Sequence, residues 1–468
     1  MRPSNHARVT ENNSQTFALK RPRQRRNHSS GDGRRPGRRG PLTEEQRLET
    51  SLTRRQGACI RCQWQAIKCE RDPLDPDGCC LTCRKVYGQT MTRLPCLRYK
   101  INDAQLVDKD THPKYIWSRR WDSMKIVEIE EWRSSEIKSI VVTQDVGGIG
   151  NATYELQVRE FVPVEGDSLF RGWKTNGIEK KHACTPYAIA NMAQTGLQFM
   201  AFADKHIGTF IKFYINKNDK LMWNTYYMAY KYSQSVPRKE ERDLLRNALK
   251  LWVGSRMESR RERICSSEVL GMEPQNWDLE GDNYGAYLIP PVLQAQIELL
   301  TTACVLLPMK REVLKGLQKL MKANQTKSWF TIYLCMFLLM HSCALLTQAE
   351  NLRARREPRI SDLHPQARYY NPGLVEELHT GANILLAHFH YCNKGSHPFA
   401  LDWRTADNSS IAFAELGREE KSYMQEATDE VKRRAHWFKE IKEMKKFEDD
   451  YYFLSQLYEY NWTPVHTV

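Results

Sequence analysis

Gly57-Ala58-Cys59-Ile60-Arg61-Cys62-Gln63-Trp64-Gln65-Ala66-Ile67-Lys68-Cys69 opens a cysteine-rich stretch that runs on through Cys80-Leu81-Thr82-Cys83-Arg84-Lys85 to Pro95-Cys96. Seven of the chain's 13 cysteines fall between Cys59 and Cys96, and six of them follow C-x2-C-x6-C-x10-C-x2-C-x12-C. A C-x2-C turn brings two sulfurs to one tetrahedral metal ion at about 2.3 Å, and later cysteines complete its shell. The expected metal ligands are therefore Cys59, Cys62, Cys69, Cys80, Cys83 and Cys96. Six thiolates hold two zinc ions when two of them bridge, because each ion then keeps four sulfurs. Cys79 lacks the C-x2-C spacing to Cys83 and reads as a spare thiol.

The stretch resembles the binuclear zinc cluster of fungal transcription factors: C-x2-C-x6-C, a variable loop with proline (here Pro73 and Pro76), then a second C-x2-C and a final cysteine. The resemblance implies two zinc ions with Cys59 and Cys80 as the bridging thiolates, double-stranded DNA as partner, and a nuclear regulator of transcription. Four-sulfur sites are closed to water and substrate, so the zinc is structural and no enzyme activity is expected. Two features depart from the family. The last spacing, Cys83 to Cys96, is long and implies an enlarged second loop over Val86–Pro95. Where the family carries basic side chains that reach guanine edges, this chain has Gln65 and Ala66, with Lys68 still basic. Glutamine most naturally hydrogen-bonds adenine. Within the cluster, Arg61, Lys68, Arg84 and Lys85 are the residues assigned to DNA. The alternative is a zinc-stapled regulatory or scaffold protein that has lost sequence-specific DNA binding.

Other chemistry can use the same cysteines. A disulfide framework requires an oxidising compartment, whereas Met1–Lys20 is polar and has no apolar core of the kind a secretory signal needs. Another soft metal or an iron–sulfur centre would take the same thiolates. Cys184, Cys265, Cys304, Cys335, Cys343 and Cys392 are scattered in mostly apolar contexts and read as buried small hydrophobes.

The net charge is +14, unevenly placed: residues 1–58 hold 14 Lys and Arg against 5 Asp and Glu, a net of +9. Rich in Arg, Gly, Pro, Ser and Asn, this arm has too little apolar surface to fold alone and is expected to be disordered. Its basic runs, Lys20–Arg26 and Arg34–Arg39, suit nuclear import or phosphate neutralisation beside the cluster. The expected organisation is a disordered basic arm (1–55), the zinc-cluster module (56–100), a polar linker (101–124) and a mainly α-helical regulatory domain with a minor β patch (125–468). In the resembling family a linker at this place leads to a dimerisation element, which admits a homodimer. Here it carries no heptad of a coiled coil.

Beyond the linker, Lys125–Glu130, Ser139–Thr143 and Tyr154–Val164 read as strands, and Val146–Gly150 as a glycine turn without the Lys-Ser/Thr of a phosphate loop. Helices are expected over Pro186–Tyr214, Arg238–Ile264, Pro290–Leu307, Lys310–Ala323 (set apart by Pro308), Gly373–Tyr391 and within Glu415–Tyr458. Trp329–Leu346 is an 18-residue apolar run at the lower limit of a membrane span. With Thr331, His341 and Ser342 inside it and no second span beside it, it reads as a core helix, and no membrane is expected. His388-Phe389-His390-Tyr391-Cys392 offers metal-ligand types, but on a helix they point different ways. No nucleophile-elbow, zinc-protease or P-loop signature occurs.

Overall fold

Two short helices, α1 (Ile60–Trp64) and α2 (Leu81–Arg84), carry the two C-x2-C pairs. The computed structural model describes residues 57–86, 94–107, 117–144, 148–175, 178–259, 262–276, 284–323, 325–356, 367–393, 398–404 and 416–465, with a few positions between 43 and 55. The basic runs of the arm and most of the Val86–Pro95 loop lie outside the described residues. The chain divides into two units, Met1–Gln56 and Gly57–Val468, and the second contains both the cysteine-rich stretch and the large body.

The body is mainly helical with a minor sheet. Strands β1 (Trp132–Gln144) and β2 (Tyr154–Phe161) pair antiparallel, Ile140 opposite Leu156. Their alternation turns Ile140, Val142, Leu156 and Val158 into the core. A hairpin of β3 (Phe170–Thr175) and β4 (Ile178–Ala183) stands apart. β5 (Tyr187–Ile189) joins the free edge of β2, so the helix expected from Pro186 begins only after this strand. The stretch Lys125–Glu130 is not a strand. Its Glu128 carboxylate instead accepts the Met192 and Ala193 amides, both at 3.0 Å, at the start of the next helix. That helix, α3 (Met192–Lys205), is also capped by the Asn191 side chain on the Gln194 amide, and α4 (Ile207–Tyr214) follows after a break at His206.

Next come α5 (Lys220–Ser235), capped by Asp219, and α6 (Lys239–Glu258). The end of the helix expected to reach Ile264 is strand β6 (Glu262–Ile264), which pairs with β1 and with β7 (Tyr287–Leu288) and closes the sheet order β5-β2-β1-β6-β7. Pro308 does not separate two helices. α7 (Pro291–Leu300) passes into a π-helical segment, Thr301–Leu306, and then into α8 (Leu307–Ala323). A proline in a regular helix lacks a donor and strikes the carbonyl four residues back; the wider π turn ahead of it lets the run continue.

α9 (Trp329–Arg356) is the central helix, touching α5, α6, α10 (Pro372–Cys392) and α12 (Tyr451–Leu454). Trp329, Phe330, Tyr333, Leu334, Phe337 and Leu338 are all at most 4% exposed. Polar groups in its apolar half are paired: Thr331 donates to the buried Glu241 at 2.5 Å and Tyr226 bonds His341 at 2.6 Å, while Ser328, just ahead of the helix, donates to Glu241 at 2.8 Å. Two helical runs, Pro291–Ala323 and Thr326–Arg355, are long and apolar enough to cross a membrane, so a second candidate does accompany the first. It escapes the sequence because Pro308 looks like a break. Within this fold 67% and 89% of their apolar windows are buried, as expected of core helices. The long charged helix α11 (Arg418–Glu443) covers the outside.

The stretch read as a linker is in large part folded onto the body. Ile101, Ala104, Leu106 and Val107 are buried in the main core, and Arg120 and Ser118 both bind Asp167. Gly381 of α10 lets the Gln105 backbone come so close that a β-carbon there would collide with its nitrogen and oxygen. Gly381→Ala should therefore cost about 1–3 kcal/mol, seen as a lower denaturant midpoint at unchanged slope. An unchanged midpoint would show that residues 101–107 are not seated on α10.

Candidate metal centre

Each C-x2-C pair starts its helix in the same way. Cys59 precedes α1 in an extended conformation (φ −64°, ψ 157°) and its sulfur accepts the Cys62 amide at 3.4 Å; Cys80 (φ −64°, ψ 148°) does the same for Cys83 at 3.3 Å. The Cys59 amide donates to the Cys69 sulfur and the Cys80 amide to the Cys96 sulfur, both at 3.5 Å. Bonds between the halves are equally matched: Ile60 N–H to the Leu97 carbonyl and Leu81 N–H to the Glu70 carbonyl, both 2.8 Å. Thr82 ties the halves again, accepting the Glu70 amide at 3.0 Å and donating to the Lys68 carbonyl at 2.8 Å.

This scaffold brings six sulfurs into two sets of four, Cys59/Cys62/Cys69/Cys80 and Cys59/Cys80/Cys83/Cys96, each within 4.8 Å. The sets share Cys59 and Cys80. A tetrahedron of sulfurs about 2.3 Å from an ion has edges of about 3.8 Å. The measured separations are 4.0 Å for Cys59–Cys80, 3.6 Å for Cys59–Cys83 and 3.8 Å for Cys62–Cys80. The donor set and its spacing therefore fit two thiolate-bound ions with two common ligands. Cys79 belongs to neither set; its sulfur points to the Cys80 carbonyl at 3.6 Å, and burial pushes its thiol up to about 11.

Six sulfurs this close cannot all be anionic without a cation. The Cys96 sulfur and burial push the Cys59 thiol up, burial does so at Cys62 and Cys80, and the Cys59 hydrogen bond draws Cys96 down to about 5. Metal ions would resolve that conflict. Arg61 contributes positive charge from within, its Nη1 lying 3.5 Å from both the Cys83 sulfur and the Thr82 carbonyl.

The other basic residues assigned to DNA lie on the exposed side of the module. Arg84 pairs with Asp72 at 2.7 Å and Lys85 with Glu70 at 3.4 Å, while Lys68 is exposed beside the end of α1. α1 ends in a left-handed turn at Ala66 (φ 52°), with Ile67 N–H bonded back to the Cys62 carbonyl at 3.0 Å and Ala66 N–H to Gln63 at 3.3 Å.

Sequence reasoning missed the surface that holds the module to the body. Ile60 is fully buried in the main core, and Trp64, one helical turn on, lies 5.8 Å from the His388 ring and 6.4 Å from the Tyr391 ring of α10. His388 Nε2 donates to the Tyr99 carbonyl at 3.1 Å and the Tyr391 hydroxyl to the Pro95 carbonyl at 3.1 Å. Burial lowers His388 to about 4, which keeps the ring neutral at this contact. His390 turns away to the Gln456 carbonyl at 2.9 Å, so the His388–Cys392 stretch converges on no metal. The available signal was the apolar i, i+4 pair Ile60 and Trp64 on a module too small to bury it. Among the remaining cysteines, Cys184, Cys335 and Cys343 are buried, whereas Cys265 is exposed at the end of β6.

Comparison with known proteins identifies the class: a fungal transcription factor. Residues 108–457 match the KpeA transcription factor family, and the chain belongs to that family. It is also similar to the satratoxin biosynthesis SC3 cluster transcription factor SAT20 of Stachybotrys chartarum, at 22% identity over 374 residues, 76% of this chain and 48% of the relative. The chain thus spans about half the length of that relative. No solved structure matches it significantly. The family match covers the helical body and leaves the six-cysteine centre outside it.

The two sulfur sets should hold about two zinc ions per chain, measured by elemental analysis of reduced protein. Cys80→Ser, which removes a shared ligand, should lose both; Cys79→Ser should keep both. A content near one, or the reverse ranking of the two variants, would refute the shared-sulfur arrangement. Trp64→Ala should keep the metal but release the module, seen as faster proteolytic cutting between residues 94 and 107. Unchanged cutting would mean that the ring contacts with α10 do not hold it.

Proposed function

We propose that this transcription factor is a nuclear, DNA-binding regulator in which a structural binuclear zinc cluster forms the reading head. The observation that carries the reading is the pair of four-sulfur sets sharing Cys59 and Cys80, on a chain that belongs to a transcription factor family. Zinc would be held by Cys59, Cys62, Cys69, Cys80, Cys83 and Cys96 and would supply folding energy to the module. Phosphate contacts fall to Lys68, Arg84, Lys85 and the basic arm. The Lys85–Glu70 pair is no obstacle, because an exposed ion pair is worth only about 0–1 kcal/mol and exchanges readily for phosphate; Arg84 keeps half of its side chain exposed while it pairs with the buried Asp72. Arg61 drops out of the DNA-contacting set, since its guanidinium is turned onto Cys83. No catalytic step belongs to this reading.

Duplex affinity of the zinc-loaded chain should fall with salt at a log–log slope of roughly −0.9 per phosphate contact. Removal of residues 1–55 should weaken binding to all duplexes by a similar factor and flatten that slope. Metal chelation should abolish binding. A zinc-loaded chain that binds no duplex at low salt would favour a zinc-stapled interaction module instead.

A further inference from the structure

The docking of α1 decides which side chains a duplex could meet. Ile60 and Trp64 are turned to the body, Arg61 to the other half of the cluster, and Cys59 and Cys62 to the sulfur sets. Gln63, Gln65, Ala66, Ile67 and Lys68 remain exposed. The carboxamides of Gln63 and Gln65 have no hydrogen-bond partner among the described residues. Their backbone is nonetheless rigidly held. Gln65 N–H donates to the Arg61 carbonyl at 3.0 Å, and the turn after it closes onto the carbonyl of Cys62, itself in a sulfur set. A side chain presented from so fixed a backbone loses only its own rotamer freedom on binding.

The chemistry of this surface discriminates between base pairs. In the major groove adenine shows an acceptor beside a donor, which one carboxamide matches with its own donor and acceptor; guanine shows two acceptors, which suit Arg or Lys. Ile67, 39% exposed on the same turn, offers an apolar contact of the kind made to the thymine methyl. We propose that the module reads A·T rather than G·C base pairs, with Gln65 as the base-edge contact and Ile67 against a thymine methyl; Gln63, two positions earlier on the helix, projects to another side and serves as the comparison. This inference rests on the DNA-binding reading above.

The test is competitive selection from randomised duplexes with the full zinc-loaded chain, wild type against Gln65→Ala, Gln63→Ala and Gln65→Lys, each checked for metal content and melting temperature. Wild type should enrich A·T at one or more positions. Gln65→Ala should reduce that preference by roughly 5- to 150-fold, the range a good bidentate contact provides. Gln65→Lys should shift the same position toward G·C. Enrichment of G·C by wild type, or an A·T preference that survives Gln65→Ala, overturns the base-reading assignment while leaving DNA binding intact. Failure of the wild-type chain to bind any duplex at low salt overturns the DNA-binding reading, and this inference with it.

Discussion

A helix with no polar face can exist in water only where every side is covered. α9 is that constraint here: from Trp329 to Ala344 every side chain is buried, and α5, α6, α10 and α12 pack around it. Its apolar surface needs a coat of helices, and the coat in turn sets where each surface feature lies. α10 is the consequential member. One side of it meets α9, and its last turns carry His388 and Tyr391 to the contact with Trp64. The position of the cysteine centre therefore traces back, through one intermediate helix, to the burial of a single apolar run.

That chain of contacts changes what the cysteine module is. As a sequence it looks like a small metal-stapled domain on a polar tether, which lacks enough core to fold without its ions. In the fold it has a second source of order. Ile60 joins the main core, Leu97 and Tyr99 follow it in, and residues 101–107 run on against Gly381. The sulfur sets and hydrophobic docking thus hold opposite sides of the five-residue helix α1. A five-residue helix has no stability of its own; between a sulfur cage and a packed indole ring it needs none. The same division leaves a narrow exposed strip, Gln63 to Lys68, whose chemistry is mainly that of amides.

Local rules are overridden in two places, each with a visible reason. Pro308 sits in a continuous helical run because the turn ahead of it is widened into a π segment. Ala66 adopts a left-handed conformation that usually goes to glycine, because the chain must turn back sharply from α1 toward Cys69 and the two closing hydrogen bonds hold it there.

The cysteine spacing by itself singled out the six sulfurs that the fold gathers into two sets of four, and the resemblance singled out Cys59 and Cys80, which both sets share, because closely spaced C-x2-C turns bring their sulfurs together locally. The apolar length of Trp329–Leu346 likewise determined a buried helix. Other features were invisible in one dimension. The strand identity of Tyr187–Ile189 and Glu262–Ile264 depends on which edges β2 and β1 leave open, and Glu128 acts as a cap only because α3 begins beside it. Arg61 faces a sulfur because the second half of the cluster lies beside it, and residues 101–107 belong to the core because α10 meets them there. Such contacts join residues from tens to hundreds of positions apart, and a sequence records the chemistry of each partner but not their meeting.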